Sequence, residues 1–297
     1  MNGCGPTVSV CLPVYNGERF VGQAIASVLA QTLTDFELIV ADNASVDGTE
    51  AICRDAASRD RRVRYLTADR NRGLAWNHNR ACAQATGRYL LWLACDDILN
   101  PDYLRRCVAA LEADPGAVLC FSNCYRIDGE GRVVGELCLE NPGELTAPAD
   151  RFDAILREWM CEAVCGVMRM NAVRRTRLHQ GFADSDRVLL AELGLLGRFT
   201  KLEETLFSRR FHADAASATI DRWERSVIFD PGKAGRIICP WWLELLALAR
   251  GVLRAPLTRE ERYRTLRYLY WWARAHKSVL LGDLRRGLHV LLRWGET

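Results

Sequence analysis

Asp96 and Asp97 stand side by side directly after the apolar run 89–94 (YLLWLA), a place where a packed strand would tolerate two acids poorly. Carboxylates at such a strand end can hold a hard divalent cation, Mg2+ or Mn2+, while phosphate oxygens complete its shell. Two more apolar runs end in polar side chains. Residues 8–12 lead through Pro13 to Tyr15 and Asn16, and residues 36–41 (FELIVA) lead to Asp42-Asn43. Three polar strand ends indicate one shared cleft. Further along, Asp186 opens an apolar helical pattern and His212 follows Arg209-Arg210-Phe211. A carboxylate can take a proton from a hydroxyl, and an imidazole can ligate a metal. Each also has an ordinary structural use: Asp96 as a turn cap before Pro101, Asp186 as a first-turn helix acid, His212 as a packed ring.

The elements that must carry these residues can be read from periodicity. Runs 8–12, 36–41, 63–66, 89–94 and 117–122 predict strands. Helical spacing falls between them at 21–30, from Asp47-Gly48-Thr49 to about 58, at 74–85 before Gly87, and at 101–113. This alternation predicts βαβ units and a mainly parallel sheet covered on both faces, whose ligands sit beyond the carboxyl ends of the strands. Asp128-Gly129-Glu130-Gly131 reads as a hairpin-like turn and Asn141-Pro142-Gly143 as the start of a loop, with helices at 150–160 and 185–196, the latter closed by Gly197. Strand signals stop after Arg222. Residues 232–297 read as helical, with Tyr263, Leu266, Tyr270 and Ala273 on one face.

The 297 residues are 49% hydrophobic and 26% charged, values of a globular chain long enough for a sizeable core. A net charge of +3 gives no reason to expect a nucleic-acid partner, but its distribution is uneven. Residues 250–297 hold eleven Arg or Lys against four acids. The 12 cysteines are scattered through apolar contexts, and Cys161 and Cys165 are spaced unlike a zinc cluster, so they read as small buried hydrophobes. Met1 is followed by neither a basic nor an apolar leader region, which favours a cytoplasmic chain with reduced thiols. No apolar run reaches the length of a membrane span. The basic, Trp-rich tail, with Trp241-Trp242 and Trp271-Trp272, fits a packed helical cap or homodimer contact, or a peripheral contact with the inner face of an anionic membrane.

Taken together, VSVCLPVYNGERFVGQAIASVLAQT, FELIVADNASVDGT, NRGLAWNHNRACAQATGRYLLWLACDDILNPDYL, SDRVLLAELGLLGRF and FSRRFH resemble glycosyltransferase family 2 in order and spacing over about 1–215. The resemblance implies a GT-A fold, a nucleotide-diphospho-sugar transferase architecture of mainly parallel sheet flanked by helices. It implies a domain at 1–225, with a nucleotide-sugar half to about 122 and an acceptor half beyond it, and a helical extension at 226–297. It implies an inverting transfer from a nucleoside diphosphate sugar, with UDP the expected nucleotide, to a hydroxyl on a saccharide or lipid-linked acceptor, in cell-surface polysaccharide or glycoconjugate synthesis. On it, Pro13, Tyr15 and Asn16 border the base, and Asp42 accepts hydrogen bonds from it. Asn43 replaces the second acid many members carry. Asn71, Arg72, Gly73 and Asn79 lie where the family contacts the nucleotide or holds the loop, although plain loop and cap chemistry explains Asn71, Gly73 and Asn79 equally. Asp96 and Asp97 match the metal-binding motif, with Ala94 where an earlier acid is common; His212 supplies a late metal or phosphate contact, and Arg209 and Arg210 suit a diphosphate. Asp186 becomes the catalytic base, with Asp184 as its alternative.

Other chemistries lack their signatures. Gly3-Cys4-Gly5 precedes the first strand rather than following it, so no dinucleotide fingerprint is present, and no GK[ST] loop occurs. A glycoside hydrolase also uses paired carboxylates but needs no nucleotide-facing cleft. The non-enzymatic alternative is a degenerate module that binds a sugar nucleotide without turnover; Ala94 and Asn43 favour it, while Asp97, Asp186 and His212 oppose it.

Overall fold

A computed structural model describes residues 5–157, 162–213 and 221–294. Nine strands form one sheet in the order β3-β2-β1-β4-β8-β6-β9-β5, with β7 paired to β6. Strands β1 (Val8–Val14), β2 (Phe36–Asp42), β3 (Val63–Thr67) and β4 (Tyr89–Trp92) alternate with helices α1 (Val21–Leu29), α2 (Thr49–Arg59) and α3 (Leu74–Ala83). They pair in parallel, as their alternation with helices predicts.

Pro13 lies inside β1 rather than ending it. Its missing N–H costs little, because β4 pairs only with Val8–Cys11 and stops short of Pro13. Side chains of the central strands alternate between two cores. Val8, Val10, Leu12, Leu38 and Val40 pack with Val21, Ile25 and Val28 of α1, whereas Cys11, Ile39, Leu90 and Trp92 face the other way.

Beyond β4 the sheet changes character. Short β5 (Ile98–Leu99) is followed by α4 (Tyr103–Ala113), long β6 (Ala117–Ile127), β7 (Val133–Leu137), α5 (Pro148–Arg157), a 3-10 turn (Glu162–Cys165), β8 (Val167–Arg169), short α6 (Met170–Val173), α7 (Ser185–Leu196) and β9 (Arg198–Arg210). Strands β7 and β8 pair antiparallel with β6, β8 also with β4, and β5 with β9. Periodicity did not reveal β5, β7, β8 or β9. β9 carries Arg, Lys and Glu at six of its 13 positions and has few fully buried residues, so it lacks the apolar run that marks the first strands. The Asp128–Gly131 turn does join a hairpin, β6 to β7. The helix expected at 150–160 is described as Pro148–Arg157; the rest of it and Cys161 lie outside the described residues, as do Gly3 and Cys4.

Helix α8 (Arg222–Phe229), a 3-10 turn (Pro231–Lys233), α9 (Pro240–Arg254), α10 (Arg259–Ala275) and α11 (Lys277–Trp294) complete the chain. Ala247, Leu248, Val252, Leu257, Leu269 and Trp272 join the same core as Phe152, Val188 and Leu189. Helix α10 starts with a capping box in which Thr258 and Glu261 satisfy each other's backbone amides. None of the described helices is long and apolar enough to cross a membrane.

Candidate active site

The ends of β1 and β2 are tied across the cleft mouth by two residues in the left-handed region, Asn16 at φ 51° and Ala44 at φ 64°. Non-glycine residues adopt that conformation at a cost and often mark functional loops. The Asn16 amide donates to Ser45 Oγ (2.8 Å), and Asn16 Oδ1 accepts from the Val46 amide (3.0 Å). Between these loops Tyr15 is 45% exposed, in reach of a flat ring. Asp42 is buried, and protein groups already serve both of its oxygens. Oδ1 accepts from the Ser45 amide (2.9 Å) and hydroxyl (2.6 Å), and Oδ2 accepts from Tyr65 Oη (2.6 Å). Burial, and then that bond, push the Tyr65 phenol up.

Asn43 uses its amide in both directions. Nδ2 donates to Asn71 Oδ1 (2.8 Å) and the Gly73 carbonyl (3.2 Å), and Oδ1 accepts from the Arg72 amide (3.1 Å). A carboxylate could make only the last of these. Gly73 sits at φ 92°, and a Cβ there would come within 2.4 Å of the Phe229 carbonyl oxygen and 2.6 Å of Pro231, so only glycine fits. Arg72 pairs with Asp69 and lies over Trp76. Asn79 does not open toward this mouth: it exchanges two hydrogen bonds with the His179 backbone (2.8 and 3.1 Å). The sequence reading missed Asn77, which is buried, donates to the Ala41 carbonyl (2.6 Å) and leaves its Oδ1 without a partner.

On the other side of the cleft, β5 pairs with the end of β9 and fastens the Asp96-Asp97 turn to it. Asp96 Oδ2 lies 2.9 Å from His212 Nε2. Asp97 faces elsewhere: it is buried and its Oδ1 accepts the Arg210 amide (2.9 Å). Burial, then the neighbouring Asp96 charge, pushes the Asp97 carboxyl well above the usual range. Arg210 is committed to Asp96 O, Asp128 O and Gln23 Oε1, and Arg209 to Glu162, a buried acid absent from the sequence reading.

For a divalent cation the donor pair fits. Two cis ligands at about 2.1 Å in an octahedral shell stand roughly 3 Å apart, close to the 2.9 Å between Asp96 Oδ2 and His212 Nε2. Among the described residues no group of three or more His, Cys, Asp or Glu side chains could hold a metal, so the protein would supply two ligands and a bound diphosphate the rest.

Asp186, in the first turn of α7, accepts from the Arg187 amide (2.9 Å). Burial and then the Asp184 charge raise its pKa, which suits a base working near neutrality. Asp184, the alternative base, is instead paired with Arg222 and Arg225. The acids of the two sides converge on the 3-10 turn. Cys165 is pushed well above the ordinary thiol value by burial and by the charges of Asp97, Asp186 and Asp96, which all reach it.

The profile of glycosyl transferase family 2 matches residues 9–180, more than half of the chain. The chain belongs to glycosyl transferase family 2. Among its relatives in that family, the Escherichia coli chondroitin synthase is 26% identical over 218 residues, which cover 71% of this chain and 30% of the relative. The Rhizobium meliloti succinoglycan biosynthesis protein ExoO is 35% identical over 147 residues, 48% of this chain and 41% of the relative. The chain therefore spans less than half the length of these relatives. In fold, S. aureus TarS 1-349 with UDP-GlcNAc superposes with a TM-score of 0.68 at 16% identity, covering 96% of this chain and 81% of that one. A Pyrobaculum calidifontis mannosyltransferase with GDP-Man and Mn2+ gives 0.53 at 16% identity, covering 96% and 87%. The chain shares the GT-A glycosyltransferase fold of these structures, with helices following the sheet.

Proposed function

We propose that this family 2 protein is an inverting glycosyltransferase that moves a sugar from a nucleoside diphosphate sugar to a hydroxyl acceptor during polysaccharide assembly. The observation carrying this reading is the strand-end turn that sets Asp96 2.9 Å from His212, and it is supported by Asp186 in the first turn of α7. The base stacks near Tyr15, between the Asn16 and Ala44 loops, and the diphosphate lies toward Asp96 and His212. UDP is the expected nucleotide, a choice supported by the UDP-GlcNAc held by TarS. A divalent cation on Asp96 and His212, when bound, would neutralise charge on the leaving diphosphate. Asp97 backs this turn through Arg210. Asp186 takes the proton of the acceptor hydroxyl as its oxygen bonds to the anomeric carbon; the bond to the diphosphate oxygen breaks on the opposite side and the nucleoside diphosphate leaves, inverting the centre. A saccharide or lipid-linked acceptor enters from the 123–183 side, where the exposed Tyr125 and Arg126 lie.

The test is nucleoside diphosphate release from a panel of UDP- and GDP-sugars, with Mn2+ or chelator, with the anomeric configuration of the product assigned. The reading expects release with one donor class and an inverted product. Donor binding by thermal shift with no turnover across donors and acceptors would instead establish a non-catalytic module.

A further inference from the structure

The residues just before Asp186 are held from outside the sheet. Asp184 occupies the N-cap of α7 in the left-handed region (φ 63°), yet its carboxylate caps no helix amide. It turns to α8. Arg225 donates to Oδ1, and the Arg222 Nε lies 2.8 Å from Oδ2. One residue earlier, the Ala183 amide donates to the buried Ser226 hydroxyl (3.0 Å), again on α8. The arginines are themselves fixed. Arg222 stacks 4.0 Å over Trp241 and donates to Glu244 Oε2 (2.6 Å), and Arg187 of α7 donates to Glu244 Oε1 (2.8 Å). Glu244, on α9, is fully buried.

Buried ion pairs of this kind seldom add net stability over apolar packing of similar volume, whereas they fix geometry and charge. What they fix here is the two residues that aim the first turn of α7. We propose that α8, through Arg222, Arg225 and Ser226, is the positioning element of the Asp186 carboxylate. The proposal rests on Asp186 being the base.

The charges acting on Asp186 are Asp184 and Arg187 on α7 and Arg225 on α8. Behind them Arg222 pairs with Asp184 and Glu244 of α9 with Arg187, and on the 3-10 turn the Cys165 thiol feels Asp186 together with Asp96 and Asp97. Removing Arg225 takes away a positive charge that lowers the Asp186 pKa and leaves Asp184, which raises it, less compensated. Both changes favour the protonated carboxyl. The acid limb of the kcat/KM profile therefore moves to higher pH, and below that limb activity falls roughly tenfold for each unit moved.

The experiment is the pH profile of kcat and kcat/KM, with donor KM, for wild type, Arg225→Gln, Arg225→Lys and Ser226→Ala, each checked for wild-type circular dichroism. Expected are an upward-shifted acid limb and lower kcat in Arg225→Gln with donor KM nearly unchanged, restoration of the limb by Arg225→Lys, and a lower kcat without a limb shift in Ser226→Ala. Should Arg225→Gln not fold, Ser226→Ala and Arg225→Lys still decide, since wild-type kcat in the first and a shifted limb in the second contradict the positioning role. An unmoved limb, or an equal loss at every pH, in Arg225→Gln overturns it. The Asp186→Asn variant separates the two claims: if it is inactive while the arginine profiles match wild type, only the positioning role falls. If it turns over normally, the base assignment falls and the proposal with it.

Discussion

The strand-end cleft and the C-terminal helices place their large apolar side chains in opposite ways. In the first, Leu38, Ile39, Leu90 and Leu91 are wholly buried, and the exposed large apolar side chains, Tyr15 and Val46, belong to the loops. In the second, Tyr263 (70%), Leu288 (57%) and Trp271 (55%) stay exposed beside Arg267, Arg274 and Arg285. A cleft that must hold polar groups to within fractions of an ångström needs a rigid doubly covered sheet behind it. The tail gives up burial and keeps a basic, apolar face free for contact.

The sharpest way to break this contrast is at the cleft. Asp186→Asn should lower kcat by about 10²–10⁴-fold while the melting temperature stays near wild type, because an amide oxygen can still accept from the adjacent Arg187 amide. Unchanged product formation per folded enzyme would remove the base. Next, Leu91→Ala in β4 should cost about 2–5 kcal/mol in denaturant unfolding, whereas Leu288→Ala on α11 should stay within about 0.5 kcal/mol. Equal losses would mean that the tail face is covered.

A smaller effect concerns pH. Hydrogen bonds from Ser9, Thr86 and Arg64 outweigh burial and hold the Glu37 carboxyl below its ordinary value. A carboxyl lowered on folding stabilises above its unfolded pKa and loses that contribution as pH falls through the folded value. Wild type should thus outlast Glu37→Gln in thermal melts at pH 7, the gap narrowing below about pH 4. A gap that widened on acidification would contradict the assignment. The mildest test is vesicle sedimentation. If the exposed face meets an anionic bilayer, Trp271→Ser with Leu284→Ser should reduce co-sedimentation with phosphatidylglycerol-containing vesicles several-fold without altering turnover in solution. A concentration-dependent mass in light scattering with no vesicle binding would assign the face to a second copy of the chain.

The same contrast governs what could be read beforehand. Strands β1, β2 and β4 are buried on both sides and announce themselves as unbroken apolar runs, so these strands, their parallel pairing and the acids at their ends were legible, whereas the antiparallel strands beyond β4 were not. β9 was not, because its long run of Arg, Lys and Glu mixes with half-buried positions. The types of Asp96, Asp186 and His212 suggested chemistry, but their pairings depend on long-range contacts. Only the fold brings Asp96, rather than Asp97, against His212, and commits Arg209 to Glu162. Asn43 could be recognised as a departure from two acids; its role as the stitch of the 71–73 loop rests on donors that a linear pattern does not display.

The carbonyl of Phe229 and the ring of Pro231 fill the space in front of Gly73. A segment outside the matched stretch 9–180 thus forms a wall against the 71–73 loop. Trimming the gene to a minimal catalytic fragment near residue 220 would strip that wall. Grafting a foreign loop at 71–73 onto this scaffold would succeed only if the opposing end of α8 were exchanged with it, since the two surfaces are cut to fit each other.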